Sequence, residues 1–159
     1  MKRWFIMLAG LAGLLVLGGC LMRDVRWAPV RPPSGAKPSM YRLEVTGYCP
    51  CEICCGWTRT WYGKPVIAYG PNKGKPKAVG ITASGAKARR GTIAADTSIF
   101  PFGTVMYVPG YGYGVVEDRG GAIKGYKIDL YFSSHQTARE WGRVRREVKV
   151  WLPPEQRRK

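Results

Sequence analysis

The feature that most constrains this chain is the way its apolar residues alternate in short runs. In "YRLEVTGY" (41–48) Tyr41, Leu43 and Val45 fall on one face and Arg42, Glu44 and Thr46 on the other, the pattern of a half-buried strand. Similar runs follow at "GTIAA" (91–95), "TVMYV" (104–108), "YGVVE" (113–117), "KIDLYF" (127–132) and "EVKVWL" (147–152), separated by glycine and proline turn signals. Six short strands of this kind lead to a barrel or a sandwich. One helix is expected, in "SSHQTAREW", where Ser133 and Gln136 are spaced as a capping box and Gly142 can close the last turn in a left-handed conformation. With 159 residues, 45% of them hydrophobic, the chain has material for one core. The expected class is mostly β, six strands with one short helix.

The first 40 residues read differently. Lys2 and Arg3 precede the apolar run "WFIMLAGLAGLLVLGG", which has the form of an export signal; a spanning anchor is the alternative, and the run is somewhat short for it. "LGGC", Leu17 to Cys20, follows the pattern of a bacterial lipoprotein signal, so residues 1–19 are expected to be the signal peptide and Cys20 the lipidated first residue. The stretch 20–40 carries prolines at 29, 32, 33 and 38 without helical or alternating period, and is expected to be a tether from membrane to domain. Leu21 after the cysteine resembles the sorting pattern of lipoproteins retained at the outer membrane, facing the periplasm, where the host is diderm.

Charge narrows the partners. The chain carries 26 Lys and Arg against 10 Asp and Glu, a formal +16. A field of that sign favours polyanions. An exported lipoprotein meets wall peptides with carboxylates, anionic glycopolymers and lipids before it meets nucleic acid, and envelope polymers are therefore the expected partners. The clusters "KGKPK" (73–77) and "KARR" (87–90) serve equally well as solvated loops.

The chemistry concentrates in "VVEDRGGAIKGYKIDLYF" (115–132). Alternation puts Ile128 and Leu130 on one face and Lys127, Asp129 and Tyr131 on the other. If the first pair lines the core, Asp129 faces a groove beneath a glycine loop. Partial desolvation there raises a carboxyl's pKa toward the range of a general acid, and Lys124 or Lys127 nearby opposes that rise. Gly120, Gly121 and Gly125 allow close backbone approach or positive φ. On spacing alone, a strand-end aspartate is more often a turn or cap residue.

A resemblance adds to this reading. "TIAAD", "PFGTVMYVPGYGYG", "EDRGGAIKG" and "IDLYF" resemble the three-aspartate (3D) domain family, and "VTGYCPCEICCG" with "GITASG" is similar to its N-terminal part, so the resemblance runs through 41–152. The family's aspartates correspond to Asp96, Asp118 and Asp129. The resemblance implies a six-stranded double-psi β-barrel shared with the core of membrane-bound lytic transglycosylase A, a peptidoglycan glycan strand as substrate, and Asp129 as the catalytic acid. Asp118, Asp96, Gly120, Gly121, Lys124 and Tyr131 are then expected to support the loop or contact the sugar. Three departures stand out: Arg119 replaces a frequent Thr, Thr97 replaces a frequent Pro, and the stretch 57–79 is longer than in compact relatives. That insertion carries Trp57, Trp61 and Tyr62, which suit packing against the barrel better than stacking on sugars. Residues 153–159 form a basic tail.

"CPCEICC" holds Cys49, Cys51, Cys54 and Cys55 within seven residues. In an exported protein two disulfides are the default, a structural zinc the next reading, and free thiols the third. No other cofactor is expected. The lone His135 sits at the expected helix start, where a capping or surface role fits, and nothing points to nucleophilic catalysis. Two other functions compete with the transglycosylase: a wall-binding module without turnover, and a hard-cation site built from the three aspartates.

Overall fold

A computed structural model describes residues 29–154. The expected signal, Cys20 and the first part of the tether lie outside the described residues, as does most of the basic tail. The elements in chain order are β1 (Ser39–Tyr48), α1 (Glu52–Cys55), β2 (Trp57–Arg59), β3 (Pro65–Ile67), β4 (Thr92–Ala95), β5 (Val105–Val108), β6 (Gly112–Asp118), β7 (Lys127–Tyr131), α2 (His135–Trp141) and β8 (Val144–Trp151).

The six expected runs all become strands, and they close a barrel in the order β1-β7-β4-β6-β5-β8, with β8 pairing back to β1. β1 runs parallel to β7 and β4 parallel to β6, whereas the other neighbours are antiparallel. Parallel neighbours cannot be joined by a tight turn. The two parallel pairs therefore interlock across the barrel, which is the double-psi arrangement. Its interior follows the alternation: Leu43, Val45, Ile93, Met106, Val116, Ile128, Leu130 and Val148 are fully buried and form one core cluster. Burial of each such side chain contributes about 1.5–3 kcal/mol.

Three expectations need correction. There are two helices among the described residues, because Cys51 caps a single turn, α1, by accepting from Cys54 N, and Gly56 ends it in the left-handed region at φ 58°. In α2 the cap is Ser134, not Ser133: its hydroxyl accepts from Thr137 N, and no Ser133–Gln136 box forms. β1 starts at Ser39, and upstream of it Ala36 O accepts from the Trp151 indole at 2.9 Å, so the chain is already held to the barrel there.

α2 lies across β1 because Gly47 permits it. A Cβ at that position would meet Phe132 Cε2 at 2.8 Å and Ala138 O at 3.0 Å. β2 and β3 form a separate hairpin within the 57–79 insertion. No helix among the described residues is long and apolar enough to cross a membrane.

Candidate active site

The barrel register builds the site. Thr46 pairs with Asp129 across β1 and β7, Asp129 with Ala94 across β7 and β4, and Ala94 with Asp118 across β4 and β6. Paired residues on adjacent strands share a face, so these four side chains form one row. At about 4.8 Å per strand the two aspartates stand roughly 10 Å apart at the backbone, with the small Ala94 between them. Ile93 and Ala95, on either side of Ala94, point into the core instead.

A β-bulge puts Asp118 in the row. The pairing runs Thr92 with Val115 and Ile93 with Val116, then skips to Ala94 with Asp118. The extra residue, Glu117, turns away to a bidentate pair with Arg89, both contacts 3.0 Å, and accepts from Thr92 Oγ1 at 2.8 Å. Bulges of this kind re-aim side chains near functional sites. Arg90, next in the basic run, donates to Tyr111 O at 3.1 Å and stacks over the Tyr111 ring, so half of "KARR" is structural rather than solvated loop.

Asp129, Ala94 and Asp118 of this row floor a cleft of about 690 Å³, whose rim is the loop from Arg119 through Gly120 and Gly121 to Ile123, with Tyr131 and Tyr48 on another wall. Asp129 is partly buried in it. Burial pushes its carboxyl above the ordinary carboxylate range, and Asp118 adds to that, while the Thr46 hydrogen bond and Lys127 pull the other way. Thr46 Oγ1 lies 2.9 Å from Asp129 Oδ1 and is its one hydrogen-bond partner among the described residues. The same hydroxyl also lies 3.4 Å from Ile128 O. It can donate to an ionised Asp129 or turn to that carbonyl when the acid carries its own proton.

Asp118 has a fuller set of partners. Its Oδ1 accepts from Ala83 N at 3.0 Å and Arg119 N at 2.9 Å, and its Oδ2 from Tyr48 OH at 3.2 Å. It ties the "GITASG" turn and the glycine loop to β1. Burial, then Asp118 itself, raises the Tyr48 phenol well above its usual value, so Tyr48 stays a donor. Asp96 lies apart from the cleft. It accepts from Gly125 N (3.0 Å), Ser98 N (3.1 Å) and Ser98 Oγ (2.7 Å), and these bonds, that from Gly125 foremost, hold its carboxyl down at about 2. Gly125 accepts this geometry at φ 65°.

Gly120, Gly121 and Tyr131 line the Asp129 cleft. Lys124 does not: it lines a separate groove of about 430 Å³ with Arg42, Glu44, Lys127 and Arg145. In the insertion, Trp57 packs inward and donates to Pro50 O at 3.0 Å, whereas Trp61 is 96% exposed at the hairpin tip, edge-on to Tyr62. Packing describes the first aromatic and not the other two.

The cysteines depart furthest from the default. No disulfide joins Cys49, Cys51, Cys54 and Cys55 in the structure. Three of them converge on His135, whose Nδ1 lies 3.8 Å from Cys49 Sγ, 3.5 Å from Cys51 Sγ and 3.4 Å from Cys54 Sγ. These four are the metal-ligand cluster among the described residues, and the three aspartates do not form one. Cys55 turns the other way, lines the cleft, and donates to Cys49 O at 3.1 Å. Burial lifts its thiol to about 11, which leaves it protonated and a poor nucleophile at neutral pH. Sequence reasoning missed Thr46, Ala94, Tyr48 and His135. Each joins its site through strand register or a long-range contact, and local spacing carries no signal for either.

Residues 91–152 match the family model described as the 3D domain. Two Bacillus subtilis (strain 168) proteins are similar to the chain: YabE, named for cell wall shaping, is 41% identical over 58 residues, and the cell wall-binding protein YocH is 41% identical over 75. Those stretches are 36% and 45% of this chain, and 14% and 26% of the two relatives. Among solved structures, the chain is similar to MltA from E. coli at 26% identity and a TM-score of 0.39, over 50% of this chain and 30% of that one.

Proposed function

We propose, on the premise that residues 91–152 carry a 3D domain, that the protein is a peptidoglycan lytic transglycosylase of the cell envelope with Asp129 as its single acid and base. The observation that carries this reading is the largely desolvated Asp129 carboxyl lining the cleft, with Thr46 as its one hydrogen-bond partner among the described residues. Protonated Asp129 donates to the oxygen of the β-1,4 bond between N-acetylmuramic acid and N-acetylglucosamine. The bond from that oxygen to C1 breaks, and the leaving sugar departs as an alcohol. The muramyl 6-hydroxyl oxygen then bonds to C1 and its proton returns to Asp129, giving a 1,6-anhydro end. No second carboxylate has to activate water or attack C1, unlike the usual two-carboxylate glycosidases. Asp118, with both oxygens occupied, positions the loop that rims the cleft, and Asp96 holds that loop's far end. The lipobox at Leu17 to Cys20 supports an anchored location in the envelope.

The test is mass spectrometry of muropeptides after incubating the full-length protein with purified peptidoglycan. Anhydro ends are expected, and Asp129→Asn, which keeps the shape but cannot deliver a proton, lowers their yield by about 10²–10⁴-fold. Reducing ends instead would mean hydrolysis and overturn the mechanism. A second reading, binding to glycan without cleavage, is favoured by the name of the similar YocH. Unchanged glycan with retained wall binding would establish it in place of the first.

A further inference from the structure

We propose that Cys49, Cys51, Cys54 and His135 form a structural zinc site that pins the end of β1 and the α1 turn to the start of α2. The four ligand atoms all lie within 4.8 Å of one another. A tetrahedral zinc with Zn–S near 2.3 Å and Zn–N near 2.05 Å requires S···S edges of about 3.8 Å and S···N edges of about 3.6 Å. The observed edges are 3.7 Å between Cys49 and Cys54 sulfurs and 3.4–3.8 Å from the three sulfurs to His135 Nδ1. A disulfide needs sulfurs about 2.05 Å apart, far closer than any of these. Four of the six edges match a coordination tetrahedron, and the other two sulfur–sulfur edges lie within 4.8 Å.

The local backbone suits it. Cys51 and Cys54 stand as a Cys-x2-Cys pair on α1, and Cys54 N donates to Cys51 Sγ at 3.4 Å, a bond that supports a thiolate ligand. Cys49 reaches the cluster from the end of β1, and His135 from 86 residues downstream. Three ligands therefore come from one seven-residue loop and the fourth closes a long one, so a bound ion fastens two distant segments. With all four positions filled by protein there is no open site for water, which makes the role structural rather than catalytic. Cys55 faces the cleft and takes no part. The α1 turn that the ion would hold also supplies Cys54 and Cys55 to the cleft wall, beside Tyr48, the donor to Asp118.

This inference does not depend on the proposed activity. The full-length protein, purified without chelators, is assayed for metal by elemental mass spectrometry and for thiols by alkylation under denaturing conditions. One zinc per chain and no disulfide among residues 49–55 are expected. Cys55→Ser keeps the zinc, whereas His135→Ala and Cys51→Ser lower zinc affinity by more than about a hundredfold, the upper range for losing a mere supporting partner of a ligand. If those variants fail to fold, cobalt substitution of the wild type decides. The spectrum of a tetrahedral ion with three thiolates and one imidazole supports the site, and a four-thiolate spectrum, which would bring in Cys55, overturns it. Absence of metal, or a Cys49–Cys54 disulfide, overturns it as well.

Discussion

Thr46→Val isolates the contact that opposes the burial-driven rise in the proton affinity of Asp129. Valine keeps the size and branching of threonine in β1, so the barrel register is preserved, while the hydroxyl 2.9 Å from Asp129 Oδ1 is removed. That hydroxyl favours the ionised carboxylate, acting against the burial that raises Asp129. A hydrogen bond to a charged group contributes about 1.5–3 kcal/mol, and because the cleft is open to water the lower end applies here. At 1.36 kcal/mol per factor of ten, its loss makes Asp129 about tenfold harder to ionise. The acid must be protonated to act, so activity falls as pH rises through the Asp129 pKa, and the alkaline limb of the pH–rate profile of anhydro-end formation moves to higher pH in Thr46→Val. The same displacement should be seen without turnover, by following the Asp129 carboxyl carbon by NMR. A limb that stays put while the carboxyl titration moves would remove Asp129 from the role of acid. A carboxyl titration that stays put would refute the account of the Thr46 contact itself.

Asp129→Asn should change stability in a pH-dependent direction. The native carboxyl is raised in the fold, so its favourable contribution is complete below the unfolded value near 3.9 and is lost as pH rises through the folded value. The variant should therefore melt at or above wild type at neutral pH, with the difference vanishing toward pH ~4, as scanning calorimetry would record. Asp96 behaves oppositely: its carboxyl is held at about 2, so its contribution is present above pH ~4 and fades as pH falls toward 2. Asp96→Asn should be less stable than wild type at neutral pH, and the gap should close across that acid window in the same scans. Ala94→Leu places a large side chain between Asp129 and Asp118 on the cleft floor; it should abolish glycan binding in a pull-down with insoluble wall while costing at most about 1–3 kcal/mol of stability.

Much of the barrel was legible because period-2 alternation is a local property: Leu43 and Val45, or Ile128 and Leu130, declare an inner face within a few residues, and the barrel honours it. Strand ends were legible to within a few residues, since glycine and proline mark turns. What alternation cannot encode is which strand lies beside which. Thr46 reads as one more outward residue of "LEVTGY", and Ala94 as one of several small residues in "GTIAA", until β7 and β4 bring them against Asp129. His135 is likewise only a helix-start residue in sequence, and becomes a fourth partner to three cysteines because Gly47 lets α2 lie close to β1. The cysteines follow the same rule: four thiols within one short stretch do not reveal the α1 turn that separates Cys55 from the other three and aims it into the cleft.

The two cleft aspartates occupy one row, yet the fold equips them for different tasks. Each is approached by a hydroxyl of β1, Asp129 by Thr46 from the adjacent strand and Asp118 by Tyr48 from across the cleft. The bulge at Glu117 then delivers Asp118 to the strand end, where Ala83 N and Arg119 N close on it, and among the described residues no backbone donor reaches the Asp129 side chain in the middle of the ladder. With two amides and a phenol closing on it, the Asp118 carboxyl is held in one place as an acceptor. A carboxyl with one rotatable hydroxyl beside it can lose and regain a proton while that hydroxyl turns between Oδ1 and Ile128 O. The division here follows from position along the strand: mid-ladder placement deprives Asp129 of amide donors, and that deprivation suits it to cycle a proton in the cleft.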